Sequence, residues 1–300
     1  MSIVYILPNR SGGFFNNLWI MSSNYLYAKK YELDFYVDDR QWTFKHTHGW
    51  RDYFTSLKCL DMNTEIKYPI HKQLDVEDAR LEEFTLNDYR NIFKEIFIFT
   101  PELNERLEKQ MTVFELNNEY SSIMIRRGDK MYGESYYINT EEYVDVLVDK
   151  PTACILVQTD DYRAYTEVCT SVNMNSINSR IVTTCPTTKL GSFVFNYVPQ
   201  TGSNKSSKNN DYLLSLSDIS QVAIVNLKST EIKEHVEEML IGLKICLDSK
   251  YLSTDIQSNV TRFLVCNHSN LSGVCLVQND KLPDFNICVK CPAKGFIVSN

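Results

Sequence analysis

The stretch IMIRRGDK, residues 123–130, runs three apolar residues straight into two arginines, a glycine, an aspartate and a lysine. A strand suited to the interior that ends abruptly in charge fits a parallel sheet. Such strands are buried on both faces, and their carboxyl ends carry the ligand edge. Two later segments repeat the pattern: ACILVQ at 153–158 leads into Thr159, Asp160 and Asp161, and VAIVNL at 222–227 into Lys228, Ser229 and Thr230. Three polar strand ends in series would gather at one edge, beside helix amino termini that offer backbone N–H donors to an anion. Arginine matches phosphate oxygens through two parallel hydrogen bonds, so the set suits a diphosphate. Taken by itself, Arg-Arg-Gly-Asp reads equally well as an ion-pair cluster on a surface loop.

Working outward, strand and helix alternate four times between residues 121 and 248. The strands are 121–126, 153–158, 180–184 and 222–227. The helices are one opened by Asn139 with Glu142 as a capping box and running to about 149, then 161–172, 211–220 and 230–247. The run TGSNKSSKNN at 201–210 is low in hydrophobicity and is expected to be a mobile loop. Upstream, IVYIL at 3–7 is a strand and RSGGFFNNL at 10–18 a glycine-punctuated turn. Leu18, Met21, Ser22, Tyr25 and Leu26 form a helical stripe, and LDFYVD at 33–38 is a second strand. Residues 40–85 are irregular, and 86–118 are helical with an interruption at Pro101. The pattern predicts an α/β protein of doubly wound type. Its expected parts are an α/β domain over 1–119, a Rossmann-like domain over 120–250 and a cysteine-containing extension over 251–300 that packs on the core.

Bulk properties narrow the function. The chain has 300 residues, 43% hydrophobic and 23% charged, with net charge −7; its pI is about 5.4. That argues against a general nucleic-acid binder, which would be basic, while leaving room for a local basic pocket. No run is long and apolar enough to span a membrane. The first residues read as a strand rather than a signal peptide, so a cytoplasmic protein is expected, with free thiols among its nine cysteines.

At this point a resemblance enters. IRRGDKMYGE, from residue 125, resembles the Arg-Arg-X-Asp-Lys motif of the α1,6-fucosyltransferases and their relatives. GGFFNNL resembles that family's Gly-rich turn before the first helix, and DDRQWTFKHTHGWRDYF at 38–54 its Trp-containing stretch. QTDD and SQVAIVNLKST resemble its later donor-site segments, and the likeness runs in order through most of residues 10–235. It implies a GT-B-like fold, with two Rossmann-like domains facing a cleft, and an inverting glycosyltransferase that uses a nucleotide sugar, first GDP-fucose.

By the same resemblance Arg126 and Arg127 would hold the diphosphate, with Asp129 and Lys130 orienting the arginines and the leaving group. Glu134 would be the base. Gly12, Gly13, Tyr143, Asp160 and Asp161 would stand at donor or support positions, and Ser229 would help hold a phosphate. Apart from the resemblance, His46 and His48 stand with Trp42 and Trp50 in the irregular stretch and, with Asn17, would line an acceptor cleft for an oligosaccharide or glycoprotein glycan, since sugars stack on aromatic rings; a packed loop with surface histidines is the equal competing reading. Two positions depart from the family pattern: Met124 stands where it has a histidine, and Ser215 where it has a guanine-pairing aspartate. The second keeps a UDP- or GDP-linked pentose or deoxyhexose open as donor, and a non-catalytic nucleotide- or sugar-binding protein is the alternative from another class. No metal is expected, because adjacent aspartates in VDD and TDD lack the Asp-X-Asp spacing and arginine already neutralises phosphate. In the tail only Cys288 and Cys291 have zinc-pair spacing, where a structural site needs two such pairs. A cytoplasmic enzyme of this kind fits microbial or viral glycan synthesis.

Overall fold

The computed structural model describes residues 2–7, 13–61, 84–117, 119–127, 136–185 and 228–277. The expected loop at 201–210, helix at 211–220 and strand at 222–227 lie outside them. The described residues divide into two compact units: one up to Glu105 together with 228–237, the other from Arg106 to 185 and from Glu238 to 277.

The first unit opens with β1 (Ser2–Ile6), α1 (Phe14–Lys30) and β2 (Asp34–Asp38). The strands pair in parallel from Ser2 opposite Asp34 to Ile6 opposite Asp38, so the opening strand–turn–helix–strand expectation is met. Cys59 extends this sheet as a parallel bridge to Val37. The helices α2 (Leu86–Ile96) and α3 (Pro101–Val113) follow. The break between them falls at Pro101, where a proline costs nothing because the first helical N–H has no partner anyway. On α1 the mid-helix serines turn back, Ser22 Oγ donating to Leu18 O at 2.7 Å. Ser23 Oγ also lies 2.9 Å from the Tyr89 hydroxyl, tying α1 to α2. Between the same helices Trp19 meets Phe93 edge-on with ring centroids 4.9 Å apart. This core is largely aromatic.

The second unit is built on β3 (Tyr120–Ile125), β4 (Cys154–Thr159), β5 (Arg180–Thr183), β6 (Tyr251–Thr254) and β7 (Val274–Leu276). All are parallel, in the order β5-β4-β3-β6-β7. Its helices are α4 (Thr140–Asp145), α5 (Tyr162–Met174), α6 (Ser229–Asp248) and α7 (Asn259–Asn267); α6 begins in the first unit. Every residue of β3 and β4 is buried, as both faces covered by helices require. On one face Ile123, Ile125, Ile155 and Val157 join Val144, Leu147, Val168 and Val172 in a single core. On the other, the Tyr120 hydroxyl donates to Ile245 O of α6 at 2.8 Å. A Cβ on Gly242 of α6 would fall 2.0 Å from Gln158 Oε1, so the Gln158 amide rests against the helix backbone at this glycine.

Two differences from expectation stand out. The helix α4 stops at Asp145 and residues 146–149 turn, although Asn139 N does donate to Glu142 Oε1 at 3.3 Å in the expected box. The neighbour of β3 on its far side is β6, at 251–254, a strand too short to announce itself by periodicity. The chain steps from β3 outward through β4 to β5, then returns to β6 on the opposite side of β3. The strand order therefore reverses at β3, and such a reversal is where open α/β sheets bind ligands.

Candidate functional site

Arg126 and Arg127 leave the carboxyl end of β3 at this reversal. Residues of a strand point alternately to opposite sides, and the two arginines divide accordingly. Arg126 forms an ion pair with Asp160 at the end of β4, and its Nη1 donates to Arg127 O at 3.1 Å. Arg127 is only 3% exposed. Its Nη1 and Nη2 donate to the two oxygens of Glu167 on α5 at 3.2 and 2.7 Å, and Nη2 donates to the Tyr137 hydroxyl at 2.9 Å. The guanidinium also stacks 4.6 Å over the Tyr137 ring. Burial pulls its pKa down, and Glu167, Tyr137 and Asp161 more than offset this, leaving it raised. The expectation that both arginines hold a ligand is thus revised for Arg127: its fork is occupied by protein groups, and it braces the strand end. Glu167 and Tyr137 were not found from sequence, since a helical glutamate reads as a solvated side chain.

The aspartates are similarly committed. Asp160 Oδ1 accepts the Arg127 backbone N–H at 2.8 Å, so one carboxylate fixes both the strand end and the Arg126 side chain. Asp161 is completely buried. It caps α5 by accepting Arg163 N at 3.0 Å, and it takes Arg163 Nε and Nη2 at 3.1 and 2.8 Å. The Tyr143 hydroxyl donates to Asp255 Oδ2 at 2.7 Å, and Asp255 Oδ1 accepts Gln257 N at 2.7 Å. Burial raises the Tyr143 pKa well above the phenol range and raises that of Asp255 despite these bonds. Asp161 and Tyr143, expected at donor or support positions, lie inside the protein with their polar atoms bonded to Arg163 and Asp255. Asp255 follows β6 as Asp160 follows β4; the strand expected at 222–227, whose end was to be the third polar one, lies outside the described residues.

In the first unit Gly13 precedes α1 with open space around its Cβ position. Asn17 is buried, and its Nδ2 has no hydrogen-bond partner among the described residues. Trp42 and Trp50, expected as acceptor-lining rings, are both buried. Trp42 packs on Phe14 at 5.4 Å and Trp50 stacks on Phe54 at 4.3 Å. Their faces are used in the aromatic core, which removes them as stacking platforms for a sugar. Trp42 Nε1, like Asn17 Nδ2, is a buried donor without a partner among the described residues. His48 is exposed. Asp52 holds the loop that carries it: one oxygen accepts His46 N and Thr47 N at 2.8 and 2.9 Å, the other His48 N at 2.8 Å. Ser229, in the same unit, lies against His46, its Oγ 2.6 Å from Nδ1.

Gly12, Asp129, Lys130 and Glu134 lie outside the described residues, as do Ser215, Cys288 and Cys291. Among the described residues, no group of three or more His, Cys, Asp or Glu side chains is placed to hold a metal ion. No helix there is long and apolar enough to cross a membrane, and the seven described cysteines are free.

No protein-family model matches the chain, and no curated protein matches it. Solved structures do. A NodZ α-1,6-fucosyltransferase co-crystallised with GDP matches over 88% of this chain and 92% of its own, with TM-score 0.51 and 13% identity. An Arabidopsis thaliana FUT1 mutant in complex with GDP matches over 92% of this chain and 69% of its own, with TM-score 0.52 and 10% identity. The chain therefore has the GT-B-like α/β fold of these proteins.

Proposed function

We propose that the protein is an inverting glycosyltransferase, with L-fucose from GDP-fucose as the first choice of sugar and donor and a glycan hydroxyl as acceptor. The observation that carries this is Arg126. It stands at the carboxyl end of β3, where the sheet order reverses, with its charge held in place by Asp160. The fold is shared with proteins whose structures contain GDP.

In this reading the donor side belongs to the second unit and the acceptor side to the first. Arg126 meets the diphosphate and offsets the charge that develops as the nucleotide leaves. Arg127, Glu167, Asp160 and Asp161 hold it in position, a preorganised support that needs no rearrangement during the reaction. Glu134 takes the proton of the attacking hydroxyl, help of roughly 10²–10⁴-fold in rate. Asp129, Lys130, Gly12 and Gly13 stay donor positions in the same assignment, while Asn17 and His48 stay on the acceptor side. Direct attack at the anomeric carbon inverts it, and no metal is needed. The setting proposed is cytoplasmic glycan synthesis in a microbe or virus.

The test is a thermal-shift series with GDP, UDP, CMP and their sugar conjugates, without added metal. GDP at about 100 times its dissociation constant should stabilise the protein by about 2.7 kcal/mol, and Arg126→Ala should abolish the shift. A shift with UDP alone changes the donor, and no shift with any nucleotide removes the proposal.

A further inference from the structure

The pairing of His46 with Ser229 contains more than a contact. His46 Nδ1 faces two oxygens of Ser229, Oγ at 2.6 Å and the backbone carbonyl at 3.1 Å. A serine hydroxyl has one proton, and Ser229 Oγ donates it to the His46 backbone carbonyl at 2.8 Å. Two oxygens at that separation need a proton between them, and a carbonyl can only accept. The serine thus has none left for the ring. A bare Nδ1 lone pair would face two lone-pair-bearing oxygens, whereas an Nδ1–H group satisfies both. This fixes the tautomer: Nδ1 carries the proton, and in the neutral ring Nε2 is an acceptor. Nε2 meets no partner among the described residues.

The backbone beneath the ring is held with equal care. Asp52 gathers three successive N–H groups, of His46, Thr47 and His48. The Tyr53 hydroxyl donates to Phe44 O at 2.8 Å on the near side. Gly49, at φ +69°, turns the chain where a Cβ would lie 2.4 Å from the Asp39 carboxylate. A half-exposed imidazole on so constrained a loop, with its tautomer set by a residue 183 positions away, is a prepared hydrogen-bond acceptor.

We propose that Ser229 is a positioning residue that holds His46 as the Nδ1–H tautomer, so that Nε2 receives a hydrogen bond from a hydroxyl of the acceptor sugar. The inference rests on the glycosyl-transfer reading, deepens its acceptor side, and moves Ser229 from phosphate ligand to partner of His46. Nε2 orients the acceptor by this bond and takes no proton from it, the base remaining Glu134. A hydroxyl donor satisfies Nε2, whereas an ether or a carbonyl oxygen does not.

The test begins without donor. Two-bond ¹⁵N–¹H correlation spectra of the histidine-labelled protein resolve five rings, and His46→Asn identifies the signal of interest. The expected spectrum has a pyrrole-like Nδ1 and a pyridine-like Nε2, opposite to the preference of a free histidine side chain. Ser229→Ala should return the ring toward Nε2–H, and Ser229→Thr, which keeps the hydroxyl, should not. Methyl β-glucoside and methyl β-galactoside, added in turn, should shift Nε2 with at least one of them. In transfer assays His46→Asn, which retains a donor toward Ser229, should raise acceptor KM about tenfold, the value of one hydrogen bond, with donor KM unchanged. An Nε2–H ring in the wild type overturns the assignment of Ser229, and an unresponsive Nε2 overturns the hydroxyl site. Absence of any transfer by the wild type would count against the glycosyltransferase reading while leaving the tautomer result to stand or fall separately.

Discussion

Each unit ends a parallel strand in two adjacent aspartates, and the two pairs are divided in related ways. After β2, Asp38 takes the fork of Arg40, two residues on, with Nε and Nη2 at 2.8 and 2.7 Å. After β4, Asp161 takes the fork of Arg163, again two residues on. The other member of each pair reaches far along the chain. Asp39 accepts the Trp50 backbone N–H at 2.8 Å and so closes a loop on an aromatic core. Asp160 accepts the Arg127 backbone and pairs with the Arg126 side chain. One sequence device therefore serves two ends. Where its partner is backbone, it builds shape; where its partner is a guanidinium, it fixes a positive charge at the strand end. The motif alone could not distinguish these outcomes.

The comparison can be broken at several points. Glu167→Ala removes the carboxylate that takes both ends of the buried Arg127 fork; because Glu167 is itself partly exposed, the loss should be about 2–3 kcal/mol, that of hydrogen bonds to a charged group. Urea unfolding should show it in the second unit, and an unchanged midpoint would mean that Arg127 is not a strut. Gly49→Ala should cost about 2 kcal/mol, since an L side chain is strained at this φ and would press on Asp39. Loss confined to the first unit, followed by tryptophan fluorescence, is the expected result; a neutral substitution would separate Asp39 from loop closure.

Smaller effects divide the strand ends by pH. Arg40 bonded to Asp38 holds that carboxyl below its ordinary range. Its contribution is present above the unfolded pKa, near 4, and is lost as pH falls through the lower folded value. Burial raises Asp255, so its sign is opposite: stability is complete below the unfolded pKa and declines as pH rises through the folded one. Asp38→Asn should therefore lower the neutral melting temperature and Asp255→Asn should raise it, each approaching the parent in acid. Parallel melting curves across pH would defeat the distinction. Least of all, Gly13→Ala should change stability by under about 0.5 kcal/mol, because nothing stands within 4 Å of its Cβ position; a large loss would show a constraint from the turn.

Much of the frame was legible. Continuous apolar runs marked β3 and β4, and the break at Pro101 separated α2 from α3. The switch from strand to polar end located Arg126, Asp160 and Asp161 on one edge. Their individual duties were not legible. Arg126 and Arg127 are neighbours of the same type, yet strand alternation and one glutamate on α5 turn the second inward. Trp42 and Trp50 carry the composition of a sugar platform and are packed as core. β6 is four residues long and half polar, too short for period or propensity to separate from a loop, although Asp255 after it repeats the ending of β4.

The amino-acid sequence by itself determined that the chain alternates strand and helix, that its strands are interior, and that their ends carry charge. These follow from local causes: backbone sterics, the period of burial, and the cost of placing unpaired ions among apolar residues. Only the tertiary structure decided which charges face outward. That choice depends on partners such as Glu167 for Arg127, Asp255 for Tyr143 and Ser229 for His46, which lie 40, 112 and 183 residues away. A side chain's hydrogen-bonding capacity is finite, and whether it is already satisfied within the protein is set by neighbours that only folding brings together.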